Sequence, residues 1–429
     1  MRVWTLWCVL VIALFPSLAF AWDGEEDLKG DESLHVIVGP GARQLDPLAI
    51  PETRCVRAPA RACSTVVQVL RRDMTLSFLF KVLPERSYLV DPQTEPFETP
   101  SYEDWANIGA RYVVASQVTG PEPYKAQFRL FSVAEQRALE VGQHSVSGLS
   151  ERDLRGATHR FANSILEALT GTAGVFDTRL AYSQKISPGV KGIGMVGMDG
   201  SGQGLTVSNQ SINMLPAWGF GGVLYTSFLN GKPEIFFGGR RFSQDGGHYR
   251  KVAVSPDGSK VVASISYGGQ SDLYLLGKDG RVIRNLTNSG ADEVSPTFSP
   301  DGSMLAFVSS ASGGPQIYVM NSSGGGMKRL THSGGYNYSP DWGPGGLLAF
   351  AGIDGGVSDI FTVSESGQIE RLTQNQGQNM DPSWSPDGRY IAFVSRRPAG
   401  TGLWLMSADG RYQIMIARAG GVGNVAWQR

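Results

Sequence analysis

Four tracts in the second half of the chain repeat one alternation of apolar and polar positions: KVAVSPDGSKVVASIS, SPTFSPDGSMLAFVSS, SPDWGPGGLLAFAGI and DPSWSPDGRYIAFVSR. In each, a short apolar run meets a Pro/Gly turn and a second apolar run follows, which predicts two antiparallel strands. Proline presets φ for the turn, Asp bonds its own backbone, and Gly accepts the positive φ that reverses the chain. A degenerate copy, LPAWGFGGVLYTSF, precedes them. The residue two before the turn proline, or its equivalent, is Trp218, Val254, Phe298, Trp342, Trp384 and Trp427, with separations of 36, 44, 44, 42 and 43. Spacings of this size are those of propeller blades.

A third strand follows each pair at Asp272–Leu275, Gln316–Val319, Asp359–Thr362 and Leu403–Met406, and a fourth carries Asn285-Leu286-Thr287, Arg329-Leu330-Thr331 or Arg371-Leu372-Thr373. Four-stranded units cannot bury both faces alone, so they stack radially and close into a ring. The 252 residues from Thr178 to Arg429 divide into six units of 42. Thr178–Ser183 reads as a second strand without a first, and Asn424–Trp427 as a first without a second, so the two ends are expected to share one blade. The predicted fold is therefore mainly β: a six-bladed β-propeller over residues 178–429, preceded by a small α/β domain over residues 22–172. In that domain Leu34–Val38 and Phe78–Leu83 read as strands, and Ser64 as the cap of a short helix through Leu70. Pro100-Ser101 opens a helix that stops at Gly109, before a strand at Arg111–Val118 and a hairpin of Phe128–Val133 with Leu139–Val146. A longer helix starts at Ser150, has Asp153 as the partner in a capping box, turns Leu154, Phe161, Ile165 and Leu169 inward and ends at Gly171.

The first residues add export. Arg2, the apolar run Leu6–Phe15 and Ala19-Phe20-Ala21 form a signal peptide over residues 1–21; an uncleaved anchor is the alternative, but the run is short for a membrane span. Cys8 lies too early in that run, behind the bulky Trp7, to be a lipoprotein site. In an oxidising compartment Cys55 and Cys63 are expected to pair; free thiols are the alternative, and with no His or further Cys nearby a metal site is disfavoured.

Charge excludes little else: 38 Lys+Arg face 39 Asp+Glu, so nothing suggests nucleic acid or an anionic membrane as partner. Enzymatic signatures are weak. There is no G-x-S-x-G elbow. Gly192, Gly194 and Gly197 match G-x-G-x-x-G, but in a strand with no following helix. Five scattered histidines, His35, His144, His159, His248 and His332, give no metal-binding spacing, and Asp257, Asp301 and Asp387 occupy equivalent turns where a structural role suffices. No catalytic residue, cofactor or metal is expected. The informative positions are the loops that lead from each fourth strand into the next innermost strand, because these ring one mouth of the channel: Ser211-Ile212-Asn213, His248, Tyr249 and Arg250, Asp292 and Glu293, Tyr336, Asn337 and Tyr338, Asn379, Met380 and Asp381, and Gly423 and Asn424. Tyrosines, an arginine and amides suit recognition of another protein.

The SPDGSxLAF repeats, the Leu-Tyr-Leu and Ile-Tyr-Val third strands and the R-L-T fourth strands resemble the TolB family. So do Ile165–Gly171 with Gly174–Tyr182 at the domain junction, Trp105–Ala110 with Val113-Val114 before it, and Ser407–Arg411 with Ala426-Trp427 at the end; the likeness covers roughly residues 65–429. It implies a periplasmic, non-enzymatic component of the Tol-Pal system that holds the lipoprotein Pal at the propeller mouth, with Gly247-His248-Tyr249 where the family's mouth loop carries a Gly-His pair. It also implies contact with the inner-membrane protein TolA through the N-terminal peptide, association with the outer membrane through partners only, and a monomer. The sequence departs from the family at the acidic stretch Trp22–Asp27 and around Cys55 and Cys63, so TolA contact is the less supported of the two. The rival reading is a propeller enzyme, such as a lactonase, lyase or peptidase, acting on a small ligand in the channel.

Overall fold

The computed structural model describes residues 37–91, 94–398 and 400–429. The signal peptide and the acidic stretch lie outside these residues. As the repeat predicts, six four-stranded antiparallel sheets surround an axis. Their innermost strands are Asn213–Gly219 in blade 2, His248–Val254 in blade 3, Glu293–Phe298 in blade 4, Tyr336–Trp342 in blade 5, Gln378–Trp384 in blade 6 and Val422–Trp427 in blade 1. Consecutive innermost strands pack on one another, and the last meets the first, so the ring is closed. Val422–Trp427 pairs with Arg179–Ser187, which places the two ends of the propeller in one sheet.

The repeat residues explain the blade. In the SPDG turns Asp257, Asp301 and Asp387 each accept from the preceding Ser hydroxyl at 2.6 Å and from a backbone N–H two residues on, which fixes the reversal. These hydrogen bonds hold the Asp257 carboxyl well below the usual range and Asp301 at about 2. The R-L-T motif does more than extend a strand. The fourth strands end early, at Asn285, Arg329 and Arg371, after which Leu286, Leu330 and Leu372 enter the core. The following Thr hydroxyl accepts a third-strand N–H (Leu273, Ile317 or Ile360) and donates to the Asp or Gln that opens that strand (Asp272, Gln316 or Asp359).

In the first domain the strands Phe80–Val82, Asp46–Ala49, Tyr112–Thr119, Tyr124–Ser132 and Arg137–Leu139 form one mixed sheet, joined by Arg54–Val56 and Ser145–Leu149. Helices α1 (Ala60–Leu76) and α3 (Glu151–Thr170) pack together, while α2 (Tyr102–Asn107) buries Trp105. The Ser150/Asp153 capping box is present and Gly171 takes the left-handed C-cap. Two expectations are corrected. Ser64 lies inside α1, which starts after Pro59 and runs on to Leu76 because Val66, Val69, Leu70 and Met74 keep its apolar face continuous. The second hairpin partner, expected at Leu139–Val146, is split into Arg137–Leu139 and Ser145–Leu149, with Gln143 between them at φ 57°. Cys55 on an edge strand is joined to Cys63 of α1 by a disulfide, Cα–Cα 6.0 Å. Ile37–Val38 does not join this domain's sheet: it pairs with Tyr412 and Gln413 as a fifth strand on the outer edge of blade 6.

The first domain docks where blades 6 and 1 begin their outward strands. Phe78 stacks on Tyr412 at 5.6 Å and meets Tyr390 at 6.0 Å, and Arg389 donates to the carbonyls of Thr172 and Ala173. These contacts lie at the SPDG end of the blades. The opposite end, where the innermost strands begin, carries none of them.

Candidate functional site

The free end of the ring is built from two sets of turns: those entering the innermost strands, and the hairpins joining second to third strands. Among the described residues, thirteen large apolar side chains are exposed, and six of them, Ile186, Leu229, Tyr267, Tyr336, Ile353 and Val357, fall on this one face. Of the other seven, Leu205, Phe220, Ile283, Met327 and Leu347 lie at the SPDG end and Val56 and Leu89 in the first domain, so both ends of the ring expose apolar side chains. Only Tyr336 of the six is among the mouth residues expected from sequence. The other five sit on or beside second-to-third-strand hairpins, where an apolar residue in a polar turn was the available signal.

The expected mouth residues divide into two groups. His248, Arg250, Asp292 and Tyr336 are exposed at the rim, and Tyr338, Asp381 and Asn424 are half-buried. Tyr249, Glu293, Asn337 and Asn379 are buried. Their side chains point into the blades, because alternation along a strand sends successive residues to opposite faces. Asn337 donates to Gln316 at 2.8 Å, and Asn379 donates to Asp359 at 3.1 Å, so each completes the R-L-T hydrogen-bond unit of the preceding blade. Glu293 accepts from Ser289 and Ser309 hydroxyls, and burial raises its pKa. Asn337 and Asn379 thus tie blade to blade, and all four side chains are withdrawn from the rim.

At the rim itself, Tyr336 and Tyr338 meet edge to face at 5.6 Å, and the Tyr338 hydroxyl lies 2.7 Å from Ser358 Oγ. Burial holds the Tyr338 phenol above its ordinary pKa, so it stays a neutral hydrogen-bonding group. Gly247 before His248 is required by packing: a Cβ there would lie 2.4 Å from Ile265 and 3.1 Å from Tyr267. Below the rim every innermost strand has a register shift, and Leu215, Ser295, Ser339, Asp381 and Asn424 take φ near +50° at it. Bulges of this kind turn side chains out of the ladder. Asp381 accepts from Ser339 at 2.8 Å and from the Asn424 N–H at 3.0 Å, linking blades 5, 6 and 1.

Farther down the channel, at the SPDG end, lies a cavity of about 330 Å³ with Trp218, Lys251, Phe298, Asp341, Ser383 and Arg429 in its wall. Burial lowers the pKa of Lys251. Asp341 is fully engaged: Thr297 donates to one oxygen, and Ser383, the Trp384 N–H and Arg429 donate to the other. Asp341 and Asp381 thus both serve as hydrogen-bond links between blades in the channel wall. No helix among those residues is long and apolar enough to cross a membrane. One grouping escapes the sequence entirely. His159, read there as one of five scattered histidines, lies between Asp73 and Asp199, residues 86 and 40 positions away in the chain.

A closed six-bladed ring, a small α/β domain docked at its SPDG end and a free rim at the other define a two-domain β-propeller. The pattern of the TolB beta propeller domain matches residues 166–429 and that of the TolB amino-terminal domain residues 34–139; the chain belongs to the TolB family. It is 38% identical over 300 residues to the Tol-Pal system protein TolB of Anaeromyxobacter dehalogenans strain 2CP-1, a match covering 67% of this chain and 65% of that relative. The protein of the same name from Desulfosudis oleivorans is 32% identical over 257 residues, covering 57% and 58%. The match thus spans slightly less than two thirds of these curated relatives. The crystal structure of TolB from Acinetobacter baumannii superposes with a TM-score of 0.76 at 24% identity, covering 92% of this chain and 99% of that one, a likeness of fold.

Proposed function

We propose that the protein is a periplasmic, non-enzymatic scaffold of the Tol-Pal system whose propeller mouth holds a Pal-like peptidoglycan-associated lipoprotein. The observation that carries this reading is that the first domain docks at the SPDG end, which leaves Tyr336, Ile353 and Val357 exposed on the face turned away from it. A partner seated there buries Tyr336, Ile353 and Val357 together, and His248, Arg250 and Asp292 supply a polar border. The first domain, on the far side, is left free for a second protein such as a TolA-like inner-membrane partner. Outer-membrane integrity and cell division would depend on the bridge so formed. The rival, an enzyme acting in the channel, has less behind it, because the structural links that Asp341 and Asp381 make between blades already account for those two carboxylates.

The test is capture from envelope extracts with the full chain, compared with a variant carrying His248→Ala, Tyr336→Ala and Ile353→Ser. Wild type is expected to retain a lipoprotein and the variant to lose at least about tenfold, the effect of one or two removed anchors. Recovery of no lipoprotein by wild type, or equal recovery by the variant, overturns the reading.

A further inference from the structure

Asp73 on α1, His159 on α3 and Asp199, in the turn after the third strand of blade 1, meet where the first domain touches the propeller, and all three are buried. His159 Nδ1 lies 2.7 Å from Asp73 Oδ2, and its Nε2 lies 3.7 Å from Asp199 Oδ2. The other charged groups facing this point are Arg155 of α3, which pairs with Asp199 Oδ2, and Arg72 of α1, which donates to the main-chain carbonyl of Asp199. Asp199 cannot swing away. Ser201 N–H holds its other oxygen at 2.9 Å, and the next residue, Gly200, has φ 82° and so close a neighbour that a Cβ would lie 2.2 Å from Ile416 O.

The charges in direct contact are two carboxylates and the Arg155 guanidinium. With a neutral imidazole the buried group carries a net negative charge; with an imidazolium it is balanced, and burial makes that difference costly. We propose that His159 is a proton-operated latch between the domains: as imidazolium it bridges Asp73 of the first domain to Asp199 of the propeller, and loss of its proton loosens the docked state.

Burial opposes charge on His159, but Asp73 and Asp199 together outweigh it and hold its pKa above the ordinary imidazole value. Burial also pushes Asp73 up to about 6, against the pull of His159. Asp199 stays low because Arg155 and Ser201 outweigh its burial. The sign follows by linkage. A raised histidine pKa contributes stability that is complete below the ordinary value and lost as pH rises through the raised one. The raised Asp73 acts in the same direction but lower in pH, its contribution being lost between the ordinary carboxyl value and about 6. Docking therefore weakens as pH rises from about 6 through the histidine's raised pKa.

The test uses the full chain. The His159 ring is titrated by NMR, and melting temperature is followed from about pH 5.5 to about 8.5, the range over which histidine charge changes. Expected are a His159 pKa above that of the exposed His248, a melting temperature that falls as His159 loses its proton, and a flattened fall in His159→Gln. Asp199→Asn keeps the His159–Asp73 contact within the first domain and should bring the His159 pKa down; it decides the matter alone if His159→Gln does not fold. A His159 pKa at or below that of His248, or an unchanged pH profile in His159→Gln, overturns the latch. So does a rise in wild-type melting temperature with one equivalent of zinc that His159→Gln lacks, because the three side chains would then be serving a metal.

Discussion

Trp427 donates its indole N–H to Thr178 Oγ1 at 2.8 Å, so the end of the innermost strand of blade 1 is fastened to the residue that opens the propeller, 249 positions earlier. Trp427 is buried, stacks near Tyr390 and donates its backbone N–H to the Ser383 hydroxyl of blade 6. The ring therefore closes through non-local contacts at one seam. A chain ending at Gly420 loses this strand and exposes the edge of Arg179–Ser187. It is expected to melt well below full length, and Trp427→Ala alone to lose ~3–5 kcal/mol. Thermal and urea unfolding check both, and a truncated chain as stable as the whole would remove the seam from any role in closure.

Much of the ring was legible because each innermost strand ends in a large apolar residue ahead of a turn whose chemistry is local. Trp218, Val254, Phe298, Trp342, Trp384 and Trp427 all fall at or next to those strand ends. What escaped depends on register and distance. Asn337 and Asn379 read as rim amides, since a polar residue in a variable loop looks solvated until pairing shows which face it takes. Pairing of Ile37–Val38 with blade 6 spans most of the chain and leaves no local pattern. The same holds for the His159 cluster, whose members come from three separate elements.

The R-L-T motif makes a second prediction. Thr373 Oγ1 accepts the Ile360 N–H at 2.9 Å and donates to Asp359 at 2.6 Å, in a buried site that Asn379 also reaches. Thr373→Val preserves shape and removes both bonds, leaving a buried N–H and part of a carboxylate unpaired. A loss of ~1–3 kcal/mol is expected. Urea unfolding should show a lower midpoint with an unchanged slope. A midpoint equal to wild type would mean that Asn379 or water fully replaces the hydroxyl.

Adjacent rim positions should behave oppositely. Tyr336 is 46% exposed and Asn337 3% exposed, although they are neighbours. Tyr336→Ala is expected to change stability by less than ~0.5 kcal/mol while weakening partner capture. Asn337→Ala removes one of the two donors to Gln316 and the bond to the Ser333 carbonyl and should cost ~1–3 kcal/mol, reaching partner binding only through fold stability. Measuring both variants by thermal melt and by capture separates the roles, and a destabilised Tyr336→Ala would show that the rim aromatics belong to the fold.

Asp341 supports the SPDG end of the channel across three blades. Thr297 of blade 4 lies 3.3 Å from one oxygen, and the other takes the Trp384 N–H of blade 6 at 2.7 Å and Arg429 at 2.7 Å. Arg429 also donates to the Trp342 carbonyl at 2.9 Å, so the final side chain reaches over blade 6 to blade 5. Asp341→Ala removes the acceptor for all these donors at once, and the loss should exceed that of Arg429→Ala, which leaves Asp341 its other donors. A charge-assisted bond is worth ~1.5–3 kcal/mol, with the partly exposed Arg429 at the low end because water screens it. The double variant is expected to be less destabilised than the sum of the singles, because once Asp341 is gone Arg429 keeps only its bond to a carbonyl. Exact additivity in that cycle would mean the two side chains act independently, and that the Asp341–Arg429 pair contributes nothing to holding the ring together.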